Sequence, residues 1–432
     1  MLKIAVAGAG HGGLTAAIRL AQKGYDVTVI EAQKKEALGH DWHDSMLPEA
    51  FDFCDIPRPE NAFTPYIKAQ HRNPGKDVVL KTDPAPSDTV FYIDRKTLIR
   101  HLVDHAASAG VKFRFETEIT GPVINGGKVA GLFVKKEKQF GACKADLVID
   151  AAGMHSPVRR NLPEASGILR EIAPQDTYFV YRAYYNAVDG IRPDHPYNII
   201  FFHTGLPGLD WLIDRNGTPD ILVGGIGADI REKIAPAVED IRAQWTWVGE
   251  NVVRGGGGVK NIPLRRTLPL IVADGYAAVG DSASMTEPMN GSGITLSMKA
   301  GRILADVIVN AGEKAPRTER LWRYQYVYQK ALGEKYLTDD IIRGMLSMLT
   351  PDDMDYLFRN GVLTAKEMLK DPSPVTAAYF LQKLALFGRP SLLRPVAVTV
   401  RRLAHMKEVC ASMPELYDRD AVRRWAERYE AL

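Results

Sequence analysis

The chain is poor in cysteine, nearly balanced in charge and free of long apolar runs. Its 432 residues include only Cys54, Cys143 and Cys410, whose spacing fits neither a CxxC pair nor a zinc ligand set. This excludes a disulfide framework and predicts reduced thiols and no metal site. The formal net charge of +3 does not indicate a nucleic-acid partner. No stretch of about 18 apolar residues occurs, so no transmembrane helix is predicted.

The sequence also lacks a signal-peptide pattern before the first predicted strand, an internal repeat and a low-complexity tract. We therefore expect a cytoplasmic globular protein. Peripheral membrane contact stays open, and the sequence does not indicate the oligomeric state.

What the chain does have is a glycine-rich turn between two predicted strands near its start. Apolar residues up to Ala7 are followed by Gly8, Gly10 and Gly13, then by a helical segment, a second strand and Glu31. This order is typical of units that bind an ADP moiety. The glycines permit a tight turn, approach of the backbone to a pyrophosphate and close helix–strand packing, and the helix N-terminus attracts phosphate. Glu31 can accept both ribose hydroxyls and would repel a 2′-phosphate, which favours FAD or NAD over NADP.

A second glycine-rich turn follows a later strand. Asp281 stands at the end of that strand, and residues 288–293 form a turn before a helix that begins near Gly293. An aspartate there can accept hydrogen bonds from the ribityl hydroxyls of FAD, and the helix can direct N–H groups to the pyrimidine edge of a flavin. Two weaker motifs lie between the glycine-rich turns, at 92–98 and 145–160.

Together these motifs resemble, in order and spacing, the flavoprotein superfamily of aromatic hydroxylases and geranylgeranyl reductases. The resemblance covers residues 1–310 of the sequence. It implies FAD as the cofactor and a Rossmann-like FAD-binding domain with an antiparallel sheet on the substrate side. The residues that it places around FAD are Gly8, Gly10, Gly13, Glu31, Arg95, Asp281, Gly293 and Ile294.

Departures from the hydroxylase pattern favour the reductase branch. Hydroxylases usually carry Asp-Gly in the third motif, where this chain has Ala152-Gly153, and Ser284 and Ile294 replace their usual His and Asn. By contrast, 262–264 and the run Asp210–Ile213 are similar to the geranylgeranyl reductase pattern. The loop after the second strand lacks the Cys-Gly pair that some reductases keep, which leaves the substrate and the mechanism open.

The predicted fold class is α/β, with a Rossmann-like FAD-binding domain, an inserted antiparallel β-sheet domain and a mostly helical C-terminal region. The FAD-binding domain is predicted to combine 1–164 with 263–312, the sheet domain to span 165–262, and the helical region to span 313–432.

Candidate catalytic residues lie in one polar loop. A reductase that saturates a double bond needs a proton donor beside the flavin. His40 or His43 is the candidate acid, with Asp41 or Asp44 orienting the ring; a solvated turn is the alternative. Trp211 is predicted to wall the substrate cavity, with core packing as the alternative.

Two further points stay open in the sequence. No second dinucleotide motif is present, so the electron donor is either NAD(P)H or another donor such as ferredoxin. The segments 377–386 and 391–406 are apolar with interspersed Lys and Arg. They are interpreted as helices over the substrate cavity or as helices on a lipid surface.

The sequence therefore predicts an FAD-dependent oxidoreductase that reduces carbon–carbon double bonds of an apolar small molecule or lipid, with isoprenoids as the leading class, by hydride transfer from flavin N5. An FAD-dependent aromatic monooxygenase is the first alternative. A non-catalytic flavin-binding protein is the second.

Overall fold

A computed structural model describes residues 2–60, 63–65, 68–83, 91–312, 315–365, 381–383 and 389–432. Its strands in chain order are β1 (Lys3–Ala7), β2 (Asp26–Ile30), β3 (His43–Met46), β4 (Phe63–Pro65), β5 (Ala69–Arg72), β6 (Val79–Thr82), β7 (Phe91–Asp94), β8 (Lys112–Arg114), β9 (Glu118–Asn125), β10 (Lys128–Lys136), β11 (Gln139–Lys144), β12 (Leu147–Asp150), β13 (Thr177–Ala187), β14 (Tyr197–Phe201), β15 (Leu209–Arg215), β16 (Thr218–Ile226), β17 (Val248–Gly255), β18 (Lys260–Pro263), β19 (Val272–Ala273) and β20 (Tyr276–Ala278).

The α-helices of the same ranges are α1 (His11–Gln22), α2 (Glu49–Cys54), α3 (Arg95–Ser108), α4 (Pro157–Arg160), α5 (Arg231–Gln244), α6 (Ile294–Ala311), α7 (Thr318–Tyr328), α8 (Glu334–Leu346), α9 (Pro351–Arg359), α10 (Pro390–Ala411) and α11 (Arg419–Glu430). A π-helical stretch, Gln329–Gly333, joins α7 to α8. The predicted segment 377–386 lies mostly outside the described residues.

The central sheet has the strand order β19-β20-β12-β1-β2-β8. Strand β1 is parallel to both β2 and β12, and four of its five residues are buried. A strand with neighbours on both sides and helices over both faces needs apolar residues at successive positions, which explains the run Ile4–Ala7. The carboxyl ends of β1, β2 and β12 meet at one edge, where ligands of such sheets bind.

A second, larger sheet stands on the substrate side of that edge. Its order is β17-β13-β16-β15-β14-β5-β6, and β18 also pairs with β13. All pairs are antiparallel except β14 with β5. Strands β5 and β6 belong to this sheet although they lie outside residues 165–262, the predicted range of the sheet domain. The domain boundaries stay a prediction.

Two smaller sheets and the C-terminal helices complete the structure. The meander β9-β10-β11 and the sheet β3-β7-β4 each have three strands. Helices α7, α8, α10 and α11 follow the FAD-side helix α6, and Trp322, Tyr328 and Trp425 join the same buried cluster as the residues of β1. These layers confirm the predicted α/β class with its antiparallel sheet and helical C-terminal region.

Candidate functional site

One cavity of about 1500 Å³ connects the carboxyl edge of the central sheet to the face of the second sheet. Seven of the eight residues predicted around FAD line it: Gly8, Gly10, Glu31, Arg95, Asp281, Gly293 and Ile294. The eighth, Gly13, packs behind the turn, where a Cβ would lie 2.5 Å from the Cβ of Ala151. His40, His43 and Trp211 also line the cavity, whereas Asp41 is not among its lining residues.

The glycine turn is shaped by its contact with the strand beside it. Gly8 has a φ of +85°, and a Cβ there would lie 2.8 Å from the carbonyl oxygen of Ala151. A Cβ on Gly10 would lie 2.9 Å from the same oxygen. Gly10 therefore makes room for the protein's own backbone as well as for a ligand, so a bulky residue there would displace the segment that follows β12 before it blocked a pyrophosphate.

Glu31 is held in place at the end of β2. Its two carboxylate oxygens accept the backbone N–H groups of Ala9 and Gln33, each at 2.8 Å. A carboxylate oxygen can accept more than one hydrogen bond. The fixed carboxylate at the cavity wall fits the hydroxyls of a ribose.

His11 lies inside this turn and faces inward. Its Nε2 atom is buried and has no hydrogen-bond partner among the described residues. Burial, Arg95 and His40 hold its pKa well below the usual value. A buried ring nitrogen beside a phosphate-type turn fits a dinucleotide that supplies the missing partner.

The second glycine-rich turn brings an acid and a helix N-terminus to the same cavity. Burial raises the pKa of Asp281, and helix α6 begins directly after Gly293. The Thr295 hydroxyl accepts the backbone N–H of Leu47 at 3.0 Å, and the Ser292 hydroxyl donates to the carbonyl of Ser45 at 3.2 Å. These contacts fix the strand β3 region against the start of α6, so the residues present fit a flavin between them.

Helices α1 and α6 cross in backbone contact. A Cβ on Gly301 would lie 2.1 Å from the Gly12 carbonyl oxygen, and one on Gly12 would lie 2.6 Å from the Ser297 carbonyl oxygen. Only glycine fits at either position. The two helix starts that face the cavity are thus held to one another.

The polar loop divides its side chains between the cavity and the surface. His40 stacks on Trp42 with ring centroids 4.4 Å apart, and loss of hydration and Arg95 lower its pKa. Asp41 instead pairs with Lys96 at 2.5 Å. The charges of Asp44 and Asp41 also act on His40, and the role of either acid in orienting a histidine stays a prediction.

His43 is oriented by a tyrosine of the second sheet. The Tyr184 hydroxyl lies 3.0 Å from both the backbone nitrogen and Nδ1 of His43. It accepts the backbone N–H and forms a second hydrogen bond with Nδ1. Burial and Arg215 lower the pKa of His43, so its neutral form dominates at pH 7.

A chain of ion pairs, which sequence reasoning missed, runs along the cavity wall and is buried from Arg182 to Arg215. Asp44 accepts from Arg95 at 2.7 Å and from Arg182 at 3.1 Å. Arg182 binds both oxygens of Asp220, at 2.8 and 2.6 Å, and Arg215 donates to Asp220 at 3.2 Å. The one signal in the sequence is an arginine in the middle of the apolar strand β13.

The wall opposite the loop is apolar and aromatic. Trp211 packs edge-to-face on Tyr197, with centroids 5.8 Å apart, and the Arg182 guanidinium lies 5.1 Å from its ring centroid. Its neighbours in this wall are Tyr178, Val180, Leu222, Ile226, Ile262 and Leu264. Trp211 therefore lines the cavity, and its contact with a substrate stays a prediction.

The third motif, residues 145–160, is held in place by a network of buried hydrogen bonds. Asp150 accepts hydrogen bonds from Ser156, Tyr276 and Ser282 at 2.6, 2.9 and 3.0 Å. The Arg159 guanidinium donates to the Ser282 carbonyl at 2.6 Å. These bonds fix the turn at Ala152, which lines the cavity.

Comparisons with known proteins agree with this geometry. Residues 1–173 match the family described as FAD binding domain. The digeranylgeranylglycerophospholipid reductase of Sulfolobus acidocaldarius is 23% identical over 437 aligned positions, which cover 95% of this chain and 93% of that protein.

Solved structures share the fold. A geranylgeranyl bacteriochlorophyll reductase-like protein from Thermoplasma acidophilum superposes with a TM-score of 0.75 at 20% identity, covering 92% of this chain and 99% of that one. A probable FAD-dependent monooxygenase from Pseudomonas aeruginosa reaches 0.58 at 17% identity, covering 83% and 99%.

The fold, the site and these matches define an FAD-dependent oxidoreductase. Within that class the chain resembles the superfamily of geranylgeranyl reductases and aromatic hydroxylases, and it is more similar to the geranylgeranyl reductase branch, as its motifs predict. In the ranges that the structure describes, no helix combines the length and apolar content needed to cross a bilayer.

Proposed function

We propose that this protein reduces carbon–carbon double bonds of an apolar substrate of the isoprenoid class. The observation that carries the proposal is the single cavity that joins the FAD-side edge to an apolar wall on the second sheet. The relative from Sulfolobus acidocaldarius, named for reduction of a digeranylgeranyl lipid, supports the same substrate class.

The size of the cavity supports two occupants. Its volume of about 1500 Å³ exceeds the roughly 300–1,000 Å³ of a site for one drug-sized ligand. The glycine turns and Glu31 account for one end. The wall around Trp211 and Leu222 is left for a second, apolar molecule.

The reaction needs a hydride and a proton at adjacent carbons. When bound, FAD supplies the hydride. The loop residues supply the route for the proton: His40 and His43 line the cavity, and His43 is held by Tyr184. Because both histidine pKa values are lowered, each ring is neutral at pH 7 and passes on a proton taken from solvent rather than storing one.

We predict that His43→Ala and His40→Ala leave FAD bound and slow turnover, by about 100-fold for the histidine that passes the proton. The measurement is the rate of flavin reoxidation by an alkene substrate together with the flavin-to-protein ratio. His405→Ala is the control, because His405 is an exposed residue of α10. Unchanged rates in both cavity variants would assign the loop a structural role only.

The experiment that tests the function is anaerobic. The purified holoprotein is reduced stoichiometrically, and its flavin absorbance is followed while polyprenyl alkenes are added. Reoxidation with a saturated product supports the reductase. Flavin that stays reduced until air and an aromatic compound are added would overturn it in favour of a monooxygenase. An electron donor is then sought by comparing NADH, NADPH and reduced ferredoxin.

A further inference from the structure

The chain of ion pairs along the cavity wall contains more positive than negative groups. Its order is Arg95, Asp44, Arg182, Asp220, Arg215, so three guanidiniums share two carboxylates. The side chains of Arg182 and Arg215 are only 3% and 10% exposed. An unmatched charge at such a depth is costly, and a bound anion relieves that cost.

At the FAD end, Asp281 lies close enough to Arg95 to interact with its charge, although burial raises the pKa of that carboxyl. The acids near the other end of the chain pair with other cations. Asp94 pairs with Arg254, and Asp41 pairs with Lys96. Asp214, next to Arg215 in β15, pairs with Arg192 at 3.2 Å on the other side of the strand. Within the described residues, the ionic partner of Arg215 is Asp220, which also pairs with Arg182.

Both ends of the chain carry an unused donor. Arg95 Nε and Arg215 Nη2 are buried without a hydrogen-bond partner among the described residues. Arg95 stands at the FAD side with His11 and Asp281. Arg215 lies at the substrate side, with its guanidinium 4.1 Å from the centroid of the Tyr92 ring.

A second unused donor lies on the same strand face as Arg215. Side chains alternate along a strand, so Leu209, Trp211, Ile213 and Arg215 share one face of β15, and all four line the cavity. Trp211 Nε1 is also buried without a partner. One ligand on this face therefore meets an indole N–H, an apolar residue and a guanidinium in sequence.

We propose that Arg215 and Trp211 form a subsite for the oxyanion head, a phosphate or a carboxylate, of an amphiphilic substrate. The head accepts hydrogen bonds from the guanidinium and the indole, and the tail lies along Tyr178, Leu222 and Leu264. The position of the tail rests on the proposed function. The anion subsite rests on the charges and donors of the chain itself.

The test compares binding of dodecyl phosphate and dodecanol to the FAD-loaded protein by calorimetry. Hydrogen bonds to a charged group contribute enough for at least about tenfold tighter binding of the phosphate. Arg215→Gln is expected to remove that preference and leave dodecanol binding unchanged. Arg215→Lys should keep part of it, and Trp211→Phe should reduce it while retaining the ring.

Arg192→Gln is the matched control, because Arg192 is a half-exposed arginine paired with Asp214 of the same strand. It should bind both probes as the parent protein does. A phosphate preference that survives in Arg215→Gln, or that is absent from the parent protein, overturns the subsite. If Arg215→Gln loses FAD or its fold, Arg215→Lys and Trp211→Phe decide the question.

Two further measurements distinguish a free anion from a lipid headgroup, and the anion subsite from the proposed reductase function. If inorganic phosphate instead binds as tightly as dodecyl phosphate and competes with it, that result would identify a site for a free anion and overturn the proposal of an amphiphilic substrate. The binding assay needs no turnover. If the protein prefers dodecyl phosphate in an Arg215-dependent way but reduces no alkene, the anion subsite is supported and the proposed function is contradicted.

Discussion

Arg182 joins the second sheet to strand β3 of the small sheet β3-β7-β4. It is 4% exposed, binds Asp220 with two hydrogen bonds and reaches Asp44 across to the FAD-side loop. A buried charge that loses its partner is far more costly than an exposed one. Removing the guanidinium leaves Asp220 buried with Arg215 as its remaining partner.

We predict that Arg182→Met lowers the free energy of unfolding by about 3–5 kcal/mol. Urea unfolding at pH 7 measures the change. Arg192→Met is the control: its ion pair with Asp214 is half-exposed, so a change of less than about 1 kcal/mol is expected. Equal effects of the two substitutions would show that the buried chain is not a stabilising element.

Gly301 is the second residue with a sharp steric constraint. We predict that Gly301→Val costs about 3 kcal/mol or more and lowers FAD occupancy, because its Cβ would lie 2.1 Å from the Gly12 carbonyl. Gly344→Ala in α8 is the control. Its Cβ would meet only the Arg402 guanidinium at 3.4 Å, so helix propensity should raise stability by about 0.5–1 kcal/mol. Urea midpoints and flavin content measure both.

At the scale of elements, motifs whose residues are close together in the sequence could be predicted, whereas contacts between distant residues could not. The glycine turns, Glu31 and Asp281 are recognisable because strand, turn and helix follow one another along the chain. The charge chain was missed because its partners lie far apart in sequence: Arg182 and Asp44 are separated by 138 positions. The pairing of Asp41 with Lys96 could not be predicted because Lys96 belongs to a different element.

Another pair of elements is joined by a histidine outside the cavity. His203 follows β14 and places Nδ1 2.7 Å from Asp210 in β15 and Nε2 2.8 Å from Asp240 in α5. Lys76 lies 2.6 Å from Asp240. Burial alone would lower the pKa of His203, but its hydrogen bonds and charge interactions with Asp210 and Asp240 raise it above the ordinary 6.5.

This gives a pH dependence with a definite sign. A histidine whose pKa is raised on folding adds stability that is complete below pH 6.5, its unfolded pKa, and is lost as the pH rises through the folded value. The difference in unfolding free energy between the parent protein and His203→Asn should therefore shrink from pH 6 toward higher pH. His405→Asn, at an exposed position, serves as the control. A difference that is flat or grows with pH would contradict the assignment.

At the scale of the whole molecule, the C-terminal helices and the central sheet share one core. The Trp425 ring packs 5.9 Å from Trp322 and 5.0 Å from Tyr429, centroid to centroid. Arg265 and Arg266 bind Glu430 at the end of α11, each at 2.6 Å. Both arginines are buried, and each has an ionic partner, Glu430 for Arg265 and Asp340 for Arg266.

We predict that Trp425→Ala lowers the free energy of unfolding by about 3–5 kcal/mol and lowers the temperature of FAD release by the same amount as that of unfolding. Leu416→Ala, at an 82% exposed position, should change stability by less than about 0.5 kcal/mol. Parallel thermal scans of flavin and near-ultraviolet circular dichroism measure both. FAD release that is unchanged in Trp425→Ala would show that α11 unfolds independently of the central sheet.

The backbone contact between α1 and α6 has a consequence for how the cofactor is acquired. Since Gly12 and Gly301 hold the two helices together through the protein alone, the phosphate end and the pyrimidine end of the site are already at their working separation before FAD arrives. Little chain entropy is then lost on association. Uptake of FAD by the empty protein should follow single-step kinetics, with a rate proportional to FAD concentration and no slow closing phase.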